Sequence, residues 1–177
     1  MRNNTRSVFV WKIVIDGLLR YWPKAHCAKA VMFLNELEEC LEMGNDADVS
    51  TIVVPIFKKL SSCYTSHHFQ LAGRSLALSD NAILFKMASQ HADLVLPIVI
   101  PALKAALHHW HIGIQGHAET ALDKWKEVNP DLFEYYERDL ANQKDTEIDR
   151  INSRINLWVK VETAASRRLK LYFSESE

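Results

Sequence analysis

The sequence predicts an all-α protein, a HEAT-like helical repeat solenoid (an α–α superhelix) of about three helix pairs followed by C-terminal helices. Three observations support this. Only 5 of the 177 residues are glycine, and so few glycines disfavour a many-stranded β protein with many tight turns. Apolar residues recur at intervals of three and four, as on one face of a helix. A similar pattern returns after 42 residues, within the HEAT/armadillo range.

The repeat is visible around two prolines. Residues 52–56 and 94–98 both read as three apolar residues, proline and isoleucine, and they lie 42 positions apart. His68 follows Pro55 by 13 positions, and Trp110 follows Pro97 by the same 13. Each opens a helical stretch, and a third such stretch follows His26. We therefore expect one helix pair per period.

The helix pairs follow from the apolar spacing and from turn residues between the helices. The predicted pairs are 7–21 with 27–43, 50–63 with 67–89, and 92–107 with 110–127. Ser79, Asp80 and Asn81 prefer caps and turns, so they predict a break in the second helix of the second pair.

A last helical region is predicted from Pro130 to about Leu171, with a break near Gln143. It carries an apolar stripe of Ile148, Ile151, Ile155 and Trp158. Docking of this stripe on the last repeat, as an end cap, is favoured over self-association. We expect residues 1–171 to form a single domain and residues 172–177 to fray.

Composition favours a soluble chain, cytoplasmic and/or nuclear, that binds neither nucleic acid nor membrane. The formal net charge is −1, without the basic stripe of a nucleic-acid-binding surface. The most apolar stretch, 94–103, is half the length needed to span a bilayer, and no signal peptide is expected. The three cysteines lack CxxC spacing and are expected to be reduced.

No catalytic or metal site is predicted, and no cofactor. The histidines around Trp110 lack the HExxH spacing of a zinc helix, and adjacent histidines point apart on a helix. No GxSxG motif or glycine-rich phosphate loop is present. The acidic run at 36–39 is interpreted as a solvated or partner-facing edge, since carboxylates one or two positions apart do not face each other. A protein-binding surface is the better expectation.

Several segments resemble the B-prime family of protein phosphatase 2A regulatory subunits. The most specific is VMFLNELEE at 31–39, preceded by LLRYWPKAH at 18–26. HFQLA at 68–72, LPIVIPAL at 96–103 and WVKVE at 158–162 continue the resemblance. It covers about residues 13–165 and corresponds to the C-terminal portion of the family.

The resemblance implies a non-catalytic regulatory subunit that binds the phosphatase scaffold and catalytic subunits and modulates dephosphorylation. The implied partner-facing residues are Glu36, Glu38, Glu39, His68 and Arg74. Gly73 and residues 77–80 depart from the family pattern, which is expected to weaken packing. The alternative is a diverged, truncated relative that acts as a stand-alone adaptor for another protein. Self-association through an uncovered first helix or the C-terminal helix is also open.

Overall fold

The computed structural model describes residues 4–43 and 50–174, which form eight α-helices and no strand. This confirms the all-α prediction. The helices are α1 (Asn4–Arg20), α2 (Cys27–Met43), α3 (Ser50–Tyr64), α4 (Phe69–Ser79), α5 (Ala82–Gln90), α6 (Ala92–Ala106), α7 (Ile112–Val128) and α8 (Pro130–Ser174).

The predicted break between α4 and α5 is confirmed. The side chain of Asn81 caps α5 by accepting hydrogen bonds from the backbone N–H of Ile83, at 3.0 Å, and of Leu84, at 3.4 Å. A cap of this kind satisfies donors that the first turn of a helix leaves without partners. The chain can therefore end α4 and begin α5 within two residues.

The break predicted near Gln143 was wrong, because α8 continues through it. Residues 131–174 contain neither proline nor glycine, the two residues that most often end a helix. The Gln143 side chain donates to the carboxylate of Asp139, one turn earlier, at 2.7 Å. Helix α8 also extends to Ser174, into the segment expected to fray, and residues 175–177 lie outside the described residues.

Two compact units divide the chain at residue 136. In the first unit, residues 1–136, helices contact one another in pairs: α1 with α2, α3 with α4, and α6 with α7. The first helix of each pair also contacts the first helix of the next pair, α1 with α3 and α3 with α6. The second helices do the same, α2 with α4 and α4 with α7. The first unit is thus two rows of helices. The prediction that residues 1–171 form one domain stays a prediction.

The core of the first unit lies between these rows. Helix α6 supplies five fully buried apolar side chains: Val95, Leu96, Val99, Ile100 and Leu103. The ring of Trp125 on α7 meets Phe57 edge to face, at 5.8 Å between centroids, and Phe85 at 5.2 Å. Each large apolar side chain buried in this way stabilises the fold by about 1.5–3 kcal/mol.

Burial differs among the aromatic and apolar side chains. Trp125 and Phe133 are buried, but Trp110 and Trp158 are 64% and 69% exposed. A side chain at a helix start or on a solvated helix face has no neighbouring helix to cover it, which apolar spacing alone does not reveal. The apolar face of α1 was expected to be uncovered. Ile13 is 54% exposed while Ile15 is buried, and the side chains of Val8 and Val10 lie outside the described part.

The second unit, residues 137–177, is helical through Ser174 as part of α8. Its side chains are exposed from Asp139 to Arg168 apart from Leu140. No single described helix is long and apolar enough to cross a membrane. Helices α5 and α6 reach that length and composition only together, with a bend of 117° between them.

Candidate protein-binding surface

Two of the predicted partner-facing residues contact each other. The Arg74 guanidinium on α4 forms an ion pair with the Glu38 carboxylate on α2 and donates to Asn35 at 2.7 Å. Glu38 also accepts a hydrogen bond of 3.1 Å from the side-chain amide of Asn81. Three helix regions are therefore joined by one polar network, and both ion-pair partners are 25% exposed.

This network lowers the pKa of Glu38 below its ordinary value. The hydrogen bond from Arg74 is the main cause of the lowered pKa. Burial opposes it as the second-largest effect, and the amide of Asn81 and the positive charge of Arg74 lower the pKa further by smaller amounts. Glu38 is thus held ionised. Its role in the structure is to join α2 with α4 and with the cap of α5.

Glu36 and Glu39 lie elsewhere on α2 and are exposed. Together they form what we call the acidic edge. The apolar stripe of the same helix, including Leu34, Leu37 and Leu41, is buried. The amphipathic pattern therefore turns these two carboxylates toward solvent, where a basic partner surface can reach them.

His68 lies at the start of α4, in a turn that contacts the turn before α7. The Trp110 indole donates to the carbonyl of His67 at 2.9 Å, and the Nε2 of His109 lies 2.9 Å from the carbonyl of Ser66. His111 caps α7 by accepting from the backbone N–H of Gly113 at 3.2 Å. The histidine cluster thus organises two helix starts.

Rings at these helix starts stack on one another. Phe69 lies parallel to His111, with centroids 4.9 Å apart and planes 4° apart, and it meets Trp110 edge to face at 6.1 Å. Phe69 and Trp110 remain 40% and 64% exposed, and Ile112 is 81% exposed. We call these three residues the turn patch. A rigid, exposed apolar and aromatic cluster is typical of a protein contact.

Among the described residues, no group of three or more histidine, cysteine, aspartate or glutamate side chains could hold a metal ion. The Nδ1 atom of His68 is buried and, within the same described part, has no hydrogen-bond partner. The side chain of His68 is half-buried, and its ring stacks on Phe69.

Comparison with known proteins identifies the family. The model of "Protein phosphatase 2A regulatory B subunit (B56 family)" matches residues 7–165. The chain belongs to this family. The human 56 kDa regulatory subunit delta isoform is 39% identical over 153 residues, which cover 86% of this chain and 25% of the human protein. The Arabidopsis thaliana B' beta isoform is 35% identical over 160 residues, 88% of this chain and 31% of the relative.

A more distant relative shows the same coverage. The Schizosaccharomyces pombe delta 1 isoform is 33% identical over 153 residues, 86% of this chain and 28% of the relative. The chain thus spans between a quarter and a third of the length of these relatives. The family is described as one of protein phosphatase 2A regulatory B subunits, which confirms the resemblance read from the sequence.

Residues 77–80, which were expected to depart from the family pattern, contribute to the helical core. Leu78 and Ser79 of α4 are buried, and the Ser79 hydroxyl forms a hydrogen bond with the buried hydroxyl of Tyr64. Ser79 also donates to the carbonyl of Ser75 at 3.0 Å. This segment therefore has its own polar contacts across α3 and α4.

Sequence reasoning missed the turn patch as a unit. It placed His68 and Trp110 at equivalent positions of successive periods but did not indicate that the aromatic side chains there contact one another and stay exposed. The signal was the separation itself, since His67 and Trp110 are 43 residues apart and hydrogen-bonded. Equivalent positions of neighbouring helix pairs meet, and an aromatic residue at such a position contacts its counterpart.

Proposed function

We propose that this B56 chain is a non-catalytic regulatory subunit of protein phosphatase 2A. It binds the scaffold and catalytic subunits and modulates dephosphorylation through a HEAT-like stack of helix pairs. Family membership over residues 7–165 is the observation that carries the proposal. The expected location is the cytoplasm and/or the nucleus.

Repetition within the first unit supports the stack. Helices α2, α4 and α7 begin at residues 27, 69 and 112, close to the period read from the sequence. Hydrogen bonds also recur at one separation: Asn81 to Glu38, His109 to Ser66, Trp110 to His67 and Tyr136 to Asp93 each join residues 43 apart. Each bond joins one helix pair to the next, as the interfaces of a repeat protein require.

The acidic edge and the turn patch are the surfaces we assign to phosphatase binding. Glu36 and Glu39 are exposed carboxylates that can pair with basic side chains of a partner. The turn patch offers Trp110, an exposed aromatic side chain of the kind that most often dominates interface energy. Glu38 and Arg74 neutralise each other's charge, so we assign them the role of holding α2 against α4 next to these surfaces. His68 acts in the same region by stacking on Phe69.

A pull-down with purified scaffold and catalytic subunits tests the proposal. The wild-type chain is expected to retain both subunits at micromolar concentration. Glu36→Lys with Glu39→Lys, or Trp110→Ala, is expected to reduce retention about tenfold. The matched control reverses two exposed carboxylates of α7, Glu119→Lys with Asp123→Lys, and retains wild-type binding. No retention of either subunit by the folded wild-type chain contradicts the proposal.

A second candidate is a helical-repeat adaptor whose partner is another protein. The departures from the family pattern expected at Gly73 and residues 77–80 favour it, because these residues lie in α4 and its C-terminal cap, and α4 begins at Phe69 of the turn patch. Proximity labelling in cells separates the two candidates. Recovery of phosphatase subunits above all other proteins supports the regulatory subunit, and their absence beside strong recovery of another protein supports the adaptor.

A further inference from the structure

The second unit carries an exposed apolar stripe. Five side chains of α8, which we call the α8 stripe, are each between 45% and 69% exposed: Ile148, Ile151, Ile155, Trp158 and Val159. At about 100° per residue these positions fall within an arc of about 100°. A contiguous apolar stripe of this kind on a charged helix is the pattern of a helix that contacts another helix.

The charges of the same helix are divided between its two halves. Residues 137–149 contain five acidic and two basic side chains, whereas residues 150–168 contain five basic and one acidic. A second copy that runs antiparallel brings the acidic half of each helix beside the basic half of the other. A parallel copy brings like charges together, which destabilises the pair.

The two charged residues that bracket the stripe fix the register. Lys144 precedes Ile148 by four positions and Glu162 follows Trp158 by four. An antiparallel pair that sets Ile148 opposite Trp158 and Ile151 opposite Ile155 also sets Lys144 opposite Glu162. Two-fold symmetry repeats each of these contacts. The pattern is thus complementary to itself.

We propose that the α8 stripe is a homodimerisation surface on which a second copy of this chain binds antiparallel. The contact extends from Ala141 to Ala165, which lie opposite each other in the same register, over about 36 Å of helix. Arg154 lies near Arg154 of the second copy beside the two-fold axis. Because these like charges repel, we expect the dimer to be reversible rather than permanent. This inference does not depend on phosphatase binding.

Sedimentation of the full chain over about 1–100 µM at low salt tests the proposal, since this range spans reversible associations of modest affinity. The weight-average mass is expected to rise from the chain mass of 20.4 kDa toward twice that value. Ile151→Asp with Ile155→Asp is expected to abolish the rise while circular dichroism retains its helical signal. A folded wild-type chain that stays monomeric throughout overturns the proposal, as does a dimer that survives this double substitution.

Charge reversal tests the antiparallel register. Lys144→Glu alone and Glu162→Lys alone are each expected to weaken dimerisation about fivefold, because each places like charges in both symmetric contacts. The double variant restores the pairs and is expected to recover wild-type dimerisation within about twofold. The control, Lys160→Glu, reverses a charge on the side of α8 away from the stripe and leaves dimerisation unchanged. A double variant as weak as the single variants overturns the register.

Discussion

Arg74 on α4 and Glu38 on α2 form an ion pair that joins helices 36 residues apart in sequence. Each partner has a second contact, Arg74 with Asn35 and Glu38 with Asn81. The pair is partly shielded from solvent, so it is screened less than a fully exposed pair. It connects two neighbouring helix pairs and the cap of α5, which makes it a structural contact.

We predict that Glu38→Gln lowers the free energy of unfolding by about 1–2 kcal/mol at pH 7, through loss of the charge-assisted hydrogen bond. The folded-state pKa of Glu38 is lowered. Its contribution is therefore fully present above the unfolded pKa of about 4.3 and is lost as pH falls through the lower folded pKa. Urea unfolding from pH 7 to pH 3 measures this.

The difference between wild type and Glu38→Gln should thus shrink as the pH falls below about 4.3. Glu39→Gln is the matched control, because Glu39 is an exposed carboxylate of the same helix. It should unfold like wild type at pH 7, because Glu39 has no place in the network of Arg74 and Asn81. A pH-independent difference for Glu38→Gln would show that the charge of Glu38 is not what stabilises the fold.

Tyr64 and Ser79 supply a second prediction. Both side chains are buried and their hydroxyls are hydrogen-bonded, and burial raises the pKa of Tyr64 above its usual range. Ser79→Ala leaves the Tyr64 hydroxyl without this partner and is expected to cost about 1–3 kcal/mol of unfolding free energy.

Tyr64→Phe with Ser79→Ala removes both hydroxyls and should cost less than the sum of the two single changes. Urea unfolding of the four proteins measures the coupling. Strictly additive costs would contradict a direct bond between these hydroxyls. The result also tests whether the segment 77–80, which departs from the family pattern, stabilises α4.

The sequence predicted the helices apart from the false break near Gln143, because apolar spacing, Pro130 and the Ser79–Asn81 turn are local signals. It was insufficient where the outcome depends on which helices meet. Glu38 and Arg74 were both expected to face a partner, which stays a prediction, but the sequence did not indicate that they pair with each other. Trp110 was expected to open a helical stretch, but the sequence did not indicate that its indole bonds to the carbonyl of His67 while the ring stays exposed. Periodicity indicates equivalent positions but not which side chains satisfy each other across helices.

Thiol reactivity provides a third prediction. Burial raises the pKa of Cys63, and burial with the nearby charges of Glu36 and Glu39 raises that of Cys40. Because the thiolate is the reactive form, both should react slowly with a thiol reagent at pH 8. Cys27 is only half-buried and should react first. Absorbance with a disulfide reagent should show one fast thiol, and Cys27→Ser should remove it.

A fourth prediction compares alanine substitutions at two glycines of α7. A Cβ at Gly116 meets no atom within 4 Å, whereas a Cβ at Gly113 lies 3.1 Å from the ring of His111. Gly116→Ala should raise the free energy of unfolding by about 0.5–1 kcal/mol, because alanine loses less freedom in a helix. Gly113→Ala should stabilise less or destabilise, since the ring that caps α7 must shift. Equal changes in melting temperature for Gly116→Ala and Gly113→Ala would contradict the capping of α7 by the His111 ring.

The proposed binding of this B56 chain to the scaffold and catalytic subunits of protein phosphatase 2A can be measured directly. The most direct measurement is equilibrium binding of the labelled chain to purified scaffold–catalytic heterodimer, with the full-length human delta isoform as competitor. We predict saturable binding at micromolar concentration or below, displaced in full by the competitor. Absence of binding at about 100 µM, or binding that the delta isoform does not displace, would contradict the account.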